Sequence, residues 1–274
     1  MQNIESLINS ELTTKFDLHF TAPEGAVYSY VAVELLDPEH MRRFIYEYAP
    51  LIKALDDTAV GAYFAGWFTS AALALQYSLS VFDAAPDLSL NNLHIHLIPA
   101  AGYCRVAFSL QKGELNPAPN EPFKREEWLL QILTDFYKNT ASPLLQCVSE
   151  ASGLSLSKVW GQLPTKFNYY LELFTSGRTG DSHVKQLSDD YTALKTKLPP
   201  EAFGLSNNPF HVKIRIIEDL ADPQRTTQMR NRCCLYYRTE GGSYCYTCPR
   251  LKEEERAELR KEDRGKVADN SISK

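Results

Sequence analysis

Behind Asp37-Pro38, a capping residue followed by proline, Met41, Phe44, Ile45, Tyr48, Leu51, Ile52 and Leu55 recur at helical spacing and predict an amphipathic helix. Residues 58–82 follow as 25 positions without a charge. About 20 apolar residues suffice to span a bilayer, but Thr58, Gly61, Thr69, Ser70, Gln76, Ser78 and Ser80 interrupt this run. Ala62, Gly66, Ser70 and Ala74 recur every four residues, a small-residue stripe that suits close helix packing in water or in lipid. A helix apolar all round is either a core helix or a membrane span. A buried core helix is the expectation here, with membrane contact as the other reading.

From Leu93 the period changes to two. Leu93, Ile95 and Leu97 alternate with His94 and His96, residues 99–102 turn the chain, and Cys104, Val106, Phe108 and Leu110 alternate with Arg105 and Ser109. This predicts a β-hairpin, to which segments 16–20 and 27–35 add strands. Helical spacing returns at Trp128, Leu129, Ile132, Leu133 and Phe136, behind Glu126 and Glu127 in a favourable first turn. Two or three further helices are expected in 143–175. Residues 176–180 break the chain, and Val184, Leu187, Tyr191, Leu194 and Leu198 mark another amphipathic helix before Pro199-Pro200. The expected class is α+β: a mostly helical main domain with a small antiparallel sheet or hairpin, followed by a short cysteine-bearing segment. The boundaries are set at 1–205, 206–252 and 253–274. Residues 252–264 are nearly all charged with alternating sign, which reads as a solvated helix running into a tail and carrying no function.

A net charge of −5 argues against a general nucleic-acid binder, which needs a basic surface to displace phosphate counterions. The N-terminus has no positive region followed by an apolar run, so a cytoplasmic location is expected, with peripheral association at the inner face of the cell membrane left open. No G-x-G-x-x-G follows a strand and no P-loop, G-x-S-x-G or H-E-x-x-H motif occurs. Trp67, Trp128 and Trp160 lie in helical apolar patterns and are read as core.

Cysteine changes the picture. Four of the six cysteines, Cys233, Cys234, Cys245 and Cys248, fall within sixteen residues. In a cytoplasmic chain such clustering points to metal ligation and away from disulfides. Cys245 and Cys248 form a C-x2-C knuckle whose thiolates can meet one ion. The adjacent pair cannot do so easily, because neighbouring side chains of an extended segment point to opposite sides. A binuclear iron-sulfur cluster spreads its ligand positions over a wider space, and zinc ligand pairs are usually spaced by about two to four residues. Iron is therefore favoured, with a structural zinc knuckle as the alternative. Cys104 and Cys147 sit in apolar surroundings and are expected to be inert.

The run from Arg232 through Cys233-Cys234, the ten residues to Cys245, and Cys248-Pro249 resembles the C-C-x10-C-x2-C signature at the C-terminus of FhuF-like ferric siderophore reductases, with a weak extension to Asn208-Pro209-Phe210. The likeness covers about twenty residues. It implies that Cys233, Cys234, Cys245 and Cys248 bind a [2Fe-2S] cluster, making 206–252 an iron-sulfur region, and that the cluster passes one electron to a siderophore-bound ferric ion. With no dinucleotide motif, the electron donor would be a partner such as a ferredoxin, flavodoxin or flavin reductase. A binding protein with structural zinc, an iron-sulfur redox sensor and, more weakly, a siderophore synthetase stay open as alternatives.

Five arginines, Arg225, Arg230, Arg232, Arg238 and Arg250, stand against one acid, Glu240, between residues 225 and 250. Cations beside a four-thiolate cluster favour its reduced form, and Arg230, Arg232 and Arg238 could also attract an anionic chelate. If the hairpin is correct, His94, His96 and Arg105 share the face opposite Leu93 and Val106 and form a cationic surface for substrate.

Overall fold

The computed structural model describes residues 4–176 and 182–272. From residue 177 on, the predicted break lies outside the described residues. The chain is an α+β fold with helices α1 (Ile4–Phe16), α2 (Pro38–Leu51), α3 (Asp57–Phe82), α4 (Pro122–Phe136), α5 (Ser142–Ser152), α6 (Leu156–Trp160), α7 (Leu163–Thr175), α8 (Ser182–Thr196) and α9 (Glu253–Ile272). The strands are β1 (Leu18–His19), β2 (Tyr28–Val31), β3 (Ala84–Pro86), β4 (Leu93–Ala100), β5 (Tyr103–Leu110), β6 (Leu115–Pro117), β7 (Ile216–Glu218) and β8 (Thr226–Gln228). Helix α1, which the apolar pattern does not signal, buries Ile8, Leu12 and Phe16.

The uncharged helix α3 is the axis of the molecule, packed by α1, α2, α5, α6, α7 and α8. Asp56 starts it by accepting a hydrogen bond from the Ala59 amide at 3.2 Å, one of the donors a helix N-terminus leaves without an intrahelical partner. Phe64, Phe68, Leu75 and Leu79 are buried along it, each contributing about 1.5–3 kcal/mol of transfer free energy. By length and composition α3 could cross a membrane, but 78% of its apolar window is buried inside this fold. Its polar interruptions find partners in the protein. Ser78 donates to the Ala84 carbonyl at 2.6 Å, and Ser80 donates to Asp190 of α8 at 2.8 Å. Asp190 also receives Arg125 of α4 at 2.8 and 3.0 Å, tying three helices together below the surface.

The main sheet has the order β1-β5-β4-β2. The predicted hairpin is present, with Leu93 opposite Leu110 and Ala100 opposite Tyr103, and β1 pairs in parallel with β5. Gly102 makes the turn at φ +84°, a conformation glycine adopts without steric cost. Strands β3 and β6 form a second small sheet, and β7 and β8 a hairpin ahead of the cysteines. Phe203 and Phe210 flank the boundary set at 205, and their rings lie 5.9 Å apart in the core.

The face opposite Leu93 and Val106 is not the cationic surface expected for His94, His96 and Arg105. His96 is 3% exposed, its Nδ1 bonded with Ser29 Oγ and its Nε2 with Ser109 Oγ, both at 2.8 Å. Burial, reinforced by His94, pulls its pKa down to about 4, so the ring is neutral. Arg105 is ion-paired with Asp17 at 3.0 Å. Strand alternation places these residues on one face, but Ser29 of β2, Ser109 of β5 and Asp17 of the α1–β1 turn supply partners for His96 and Arg105.

His96 carries a pH dependence. Its folded pKa lies below the usual 6.5, so between about 6.5 and 4 the unfolded chain binds the extra proton and stability is lost as pH falls. The loss from this residue approaches tenfold in the folding equilibrium per pH unit. Denaturant midpoints measured from pH 7 to 4.5 should fall less steeply in His96→Gln than in the wild type; parallel curves would contradict this assignment.

Candidate metal centre

The cysteines sit on a segment with almost no regular structure, and helices of the main body hold it in place. Asn231 donates its amide to Thr165 Oγ1 at 2.8 Å and its side chain to the Gly161 carbonyl at 3.2 Å. Gln162 donates to the Cys233 carbonyl at 3.1 Å. Gly161 permits this approach, since a Cβ there would fall 2.3 Å from Cγ of Arg232. After Cys234 the chain reverses through Leu235 at φ +60°, an unusual conformation for a branched residue and a sign of local strain at a functional position. The Leu235 side chain enters the core. The following loop is pinned to the α2–α3 turn, where the Glu240 backbone amide donates to the Lys53 carbonyl at 2.9 Å and Arg238 pairs with Asp56 at 2.9 Å.

These constraints bring the thiols together as two pairs drawn from opposite ends of the motif. Cys233 Sγ and Cys248 Sγ lie 3.4 Å apart, and Cys234 is hydrogen-bonded to Cys245. That hydrogen bond pulls the Cys245 thiol down, to about 5, with Arg230 helping, and the shared proton together with burial pushes Cys234 up. Burial pushes Cys248 up to about 11. Among the described residues no three His, Cys, Asp or Glu side chains converge as a single ion would require. Two thiol pairs, each from one member of the Cys233-Cys234 dipeptide and one member of the knuckle, fit a two-iron cluster better than one tetrahedral zinc.

The knuckle turns with the Cys248 amide bonded to the Cys245 carbonyl at 2.8 Å. Helix α9 braces it from behind. Arg256, 3% exposed, donates to the carbonyls of Tyr246 at 3.1 Å, Cys248 at 3.0 Å and Leu251 at 3.2 Å. Arg260 reaches the Tyr246 hydroxyl at 3.1 Å, and Arg264 holds the Asp219 carbonyl beyond β7 at 2.8 Å. The charged C-terminal stretch is thus no bystander. Its arginines lie one helical turn apart and face the cysteine segment, whereas alternation of sign alone suggested full solvation.

A cleft of about 990 Å³ opens beside the pair Cys234 and Cys245, which stand in its wall with Arg230. The floor comes from α3 and α7, the far side from the β7–β8 hairpin. Here the small-residue stripe of α3 has a use other than helix packing. Ala62 and Gly66 line the cleft, a Cβ on Gly66 would meet nothing within 4 Å, and Ser70 accepts a hydrogen bond from Lys166 of α7 at 2.6 Å. Trp67, read as core from its spacing, also lines the cleft, and Lys166 Nζ sits 5.5 Å from its ring centroid.

Of the arginines singled out by local charge, Arg230 stands in the cleft beside the thiols. Arg232 packs over Gly161 and Arg238 pairs with Asp56, while Arg250 stacks on Tyr237 at 5.3 Å. His94, His96 and Arg105 do not line the cleft. Arg225, counted in that charge cluster, does line it, as does Lys166, which went unmarked: α7 shows no unusual charge pattern around Lys166, and the only hint was the stripe on the facing helix.

Comparison with known families places this geometry. Residues 230–250 match the family model described as the FhuF 2Fe-2S C-terminal domain, and all four cysteines lie inside the match. The chain is an iron-sulfur protein of the [2Fe-2S] kind, FhuF-like over this segment. No curated protein matches the chain.

Removing the brace should loosen the centre. Arg256→Met would leave buried carbonyls without donors, at about 1–3 kcal/mol for such a group. Anaerobically purified variant should carry less iron per chain and unfold at lower denaturant; full iron content with an unchanged midpoint would dismiss the brace.

Proposed function

We propose that this protein is a ferric siderophore reductase in which the chelate occupies the cleft and takes up one electron at the wall formed by Cys234 and Cys245. The observation that carries this reading is the position of that thiol pair: it fronts a cavity large enough for a small chelate, while Cys248 is buried behind it. Bound by Cys233, Cys234, Cys245 and Cys248, a [2Fe-2S] cluster supplies one electron per cycle.

The chain's own groups do the rest by placement. Cys234 and Cys245 line the cleft, so a chelate resting there would lie beside two of the residues that would hold the metal centre. Arg230 sits over this pair and offsets the negative charge that four thiolates accumulate, favouring the reduced form. The aromatic rings of Tyr63, Trp67, Tyr170 and Tyr236 wall the cleft and displace water from around the chelate, lowering the reorganisation that electron transfer demands. No proton donor is needed: Fe(III) gains one electron, and the resulting Fe(II) is held less well by hard oxygen donors and leaves. The electron returns from a partner of the ferredoxin, flavodoxin or flavin-reductase class. Such chemistry belongs in the cytoplasm, where free thiols persist.

Protein purified without oxygen should hold about two irons and two sulfides per chain and absorb in the visible. After stoichiometric reduction with dithionite, its spectrum should return to the oxidised form on adding ferric siderophore. A colourless zinc protein, or a reduced centre indifferent to ferric chelates, would overturn the reading. Cys234→Ser and Cys245→Ser should each lower iron content severalfold and abolish the reoxidation.

A further inference from the structure

Lys166 is the feature of the cleft that the electron-transfer reading does not use. It is partly buried, and withdrawal of its ammonium from water pulls its pKa down to about 8. Among the described residues its ammonium has one hydrogen-bond partner, Ser70, and no carboxylate. The acid whose charge acts on it is Asp17, which is already held by Arg105 at 3.0 Å and His19 at 2.8 Å. A lysine has three donors, and a partly desolvated ammonium without a counter-ion is costly unless something anionic completes it.

The acids of the cleft do not play that part. Glu172 accepts the Gln228 amide at 3.0 Å, and Asp219 accepts the amides of Ala221 and Asp222 at 3.0 and 3.2 Å. Three cations, Lys166, Arg225 and Arg230, line the cavity against these two acids, so its balance is cationic. Position adds a constraint. Ser70, which holds Lys166, lies two turns along α3 from Tyr63, whose hydroxyl feels the charge of Cys234, so the ammonium and the thiol pair are met at different points along that helix.

We propose that the cleft selects ferric chelates bearing a pendant anionic group, of which a carboxylate is the simplest, and that Lys166 is its anchor, holding that group away from the thiol wall while the iron core faces Cys234 and Cys245. This rests on the cleft being the chelate site. Lys166 touches the ligand but not the electron path, so it governs affinity and orientation.

The test uses redox-inert Ga(III) complexes of one hydroxamate cage, desferrioxamine B, carrying a free ammonium, an N-acetyl or an N-succinyl end. Each is titrated calorimetrically into the cluster-loaded protein. The succinyl complex should bind about tenfold more tightly than the acetyl complex, the scale of one partly desolvated ion pair, and the ammonium complex most weakly. Lys166→Met should erase the succinyl advantage while leaving the acetyl affinity and the visible spectrum of the cluster near wild type. Equal affinities across the series in the wild-type protein, or a Lys166→Met variant that keeps the preference, would overturn the proposal. Should that variant lose its cluster, the wild-type series decides alone. The Fe(III) complexes of the same three ligands separate the two readings: binding in the order of charge without reoxidation of the reduced protein sinks the reductase and leaves the anion site standing, whereas reduction of all three with equal affinity does the reverse.

Discussion

Four sulfurs that repel one another as thiolates have to be held within reach of one small cluster by a stretch of chain that forms almost no helix or sheet. Most of the architecture answers that constraint. The Cys233-Cys234 dipeptide is fastened to the α6–α7 junction through Asn231, Gln162 and the close approach at Gly161, and Leu235 accepts a left-handed backbone to send the chain on. The knuckle is held from the other side by Arg256. Each fastening uses backbone carbonyls and amides as partners, so the positions of the sulfurs are set by the main chain and not by flexible side chains. Strain at Leu235 persists because its side chain is locked in the core.

The same helices that fasten the cysteines build the cleft in front of them. Helix α3 presents two kinds of surface: large apolar side chains into the core, and a column of small ones, Ala62, Gly66 and Ser70, where bulk would fill the cavity or displace Lys166. The β7–β8 hairpin closes the far side, held by Arg264 and Arg260 of α9. Cysteine segment, hairpin and C-terminal helix are thus mechanically one unit, so the shape of the cleft and the spacing of the thiols are coupled. A ligand that fits the cleft and a cluster that fits the thiols would each stabilise the arrangement the other needs.

Charge in the neighbourhood is sorted in a way that its total conceals. Five arginines cluster in 225–250, yet Arg238 neutralises Asp56 at a helix N-terminus and Arg250 stacks on Tyr237, the ring that also meets Tyr244 at 4.7 Å. These hold the loop. Arg230 alone among the three arginines picked for substrate contact is placed to act on the thiols.

What the sequence determined by itself was whatever depends on local periodicity or ligand spacing. The alternation of Leu93, Ile95 and Leu97 with histidines predicts a strand with one apolar face, and the uncharged run of α3 predicts a helix that a core or a bilayer must cover. The adjacent cysteines, spaced from a C-x2-C knuckle by ten residues, favour a centre broader than one ion. Tertiary structure decided everything that depends on who stands opposite whom. His96 is polar and on the expected face, but burial keeps it neutral while Ser29 and Ser109 from neighbouring strands occupy its ring nitrogens. The stripe of small residues looked like a packing seam until α7 and the β7–β8 hairpin were seen to leave space over it. The arginines of α9 looked solvated because a sign pattern records charges along the chain and not the carbonyls beside them. Spacing reports one-dimensional order; hydrogen-bond partners, burial and cavities are made by segments distant in sequence, and the roles of Lys166 and Arg256 exist only there.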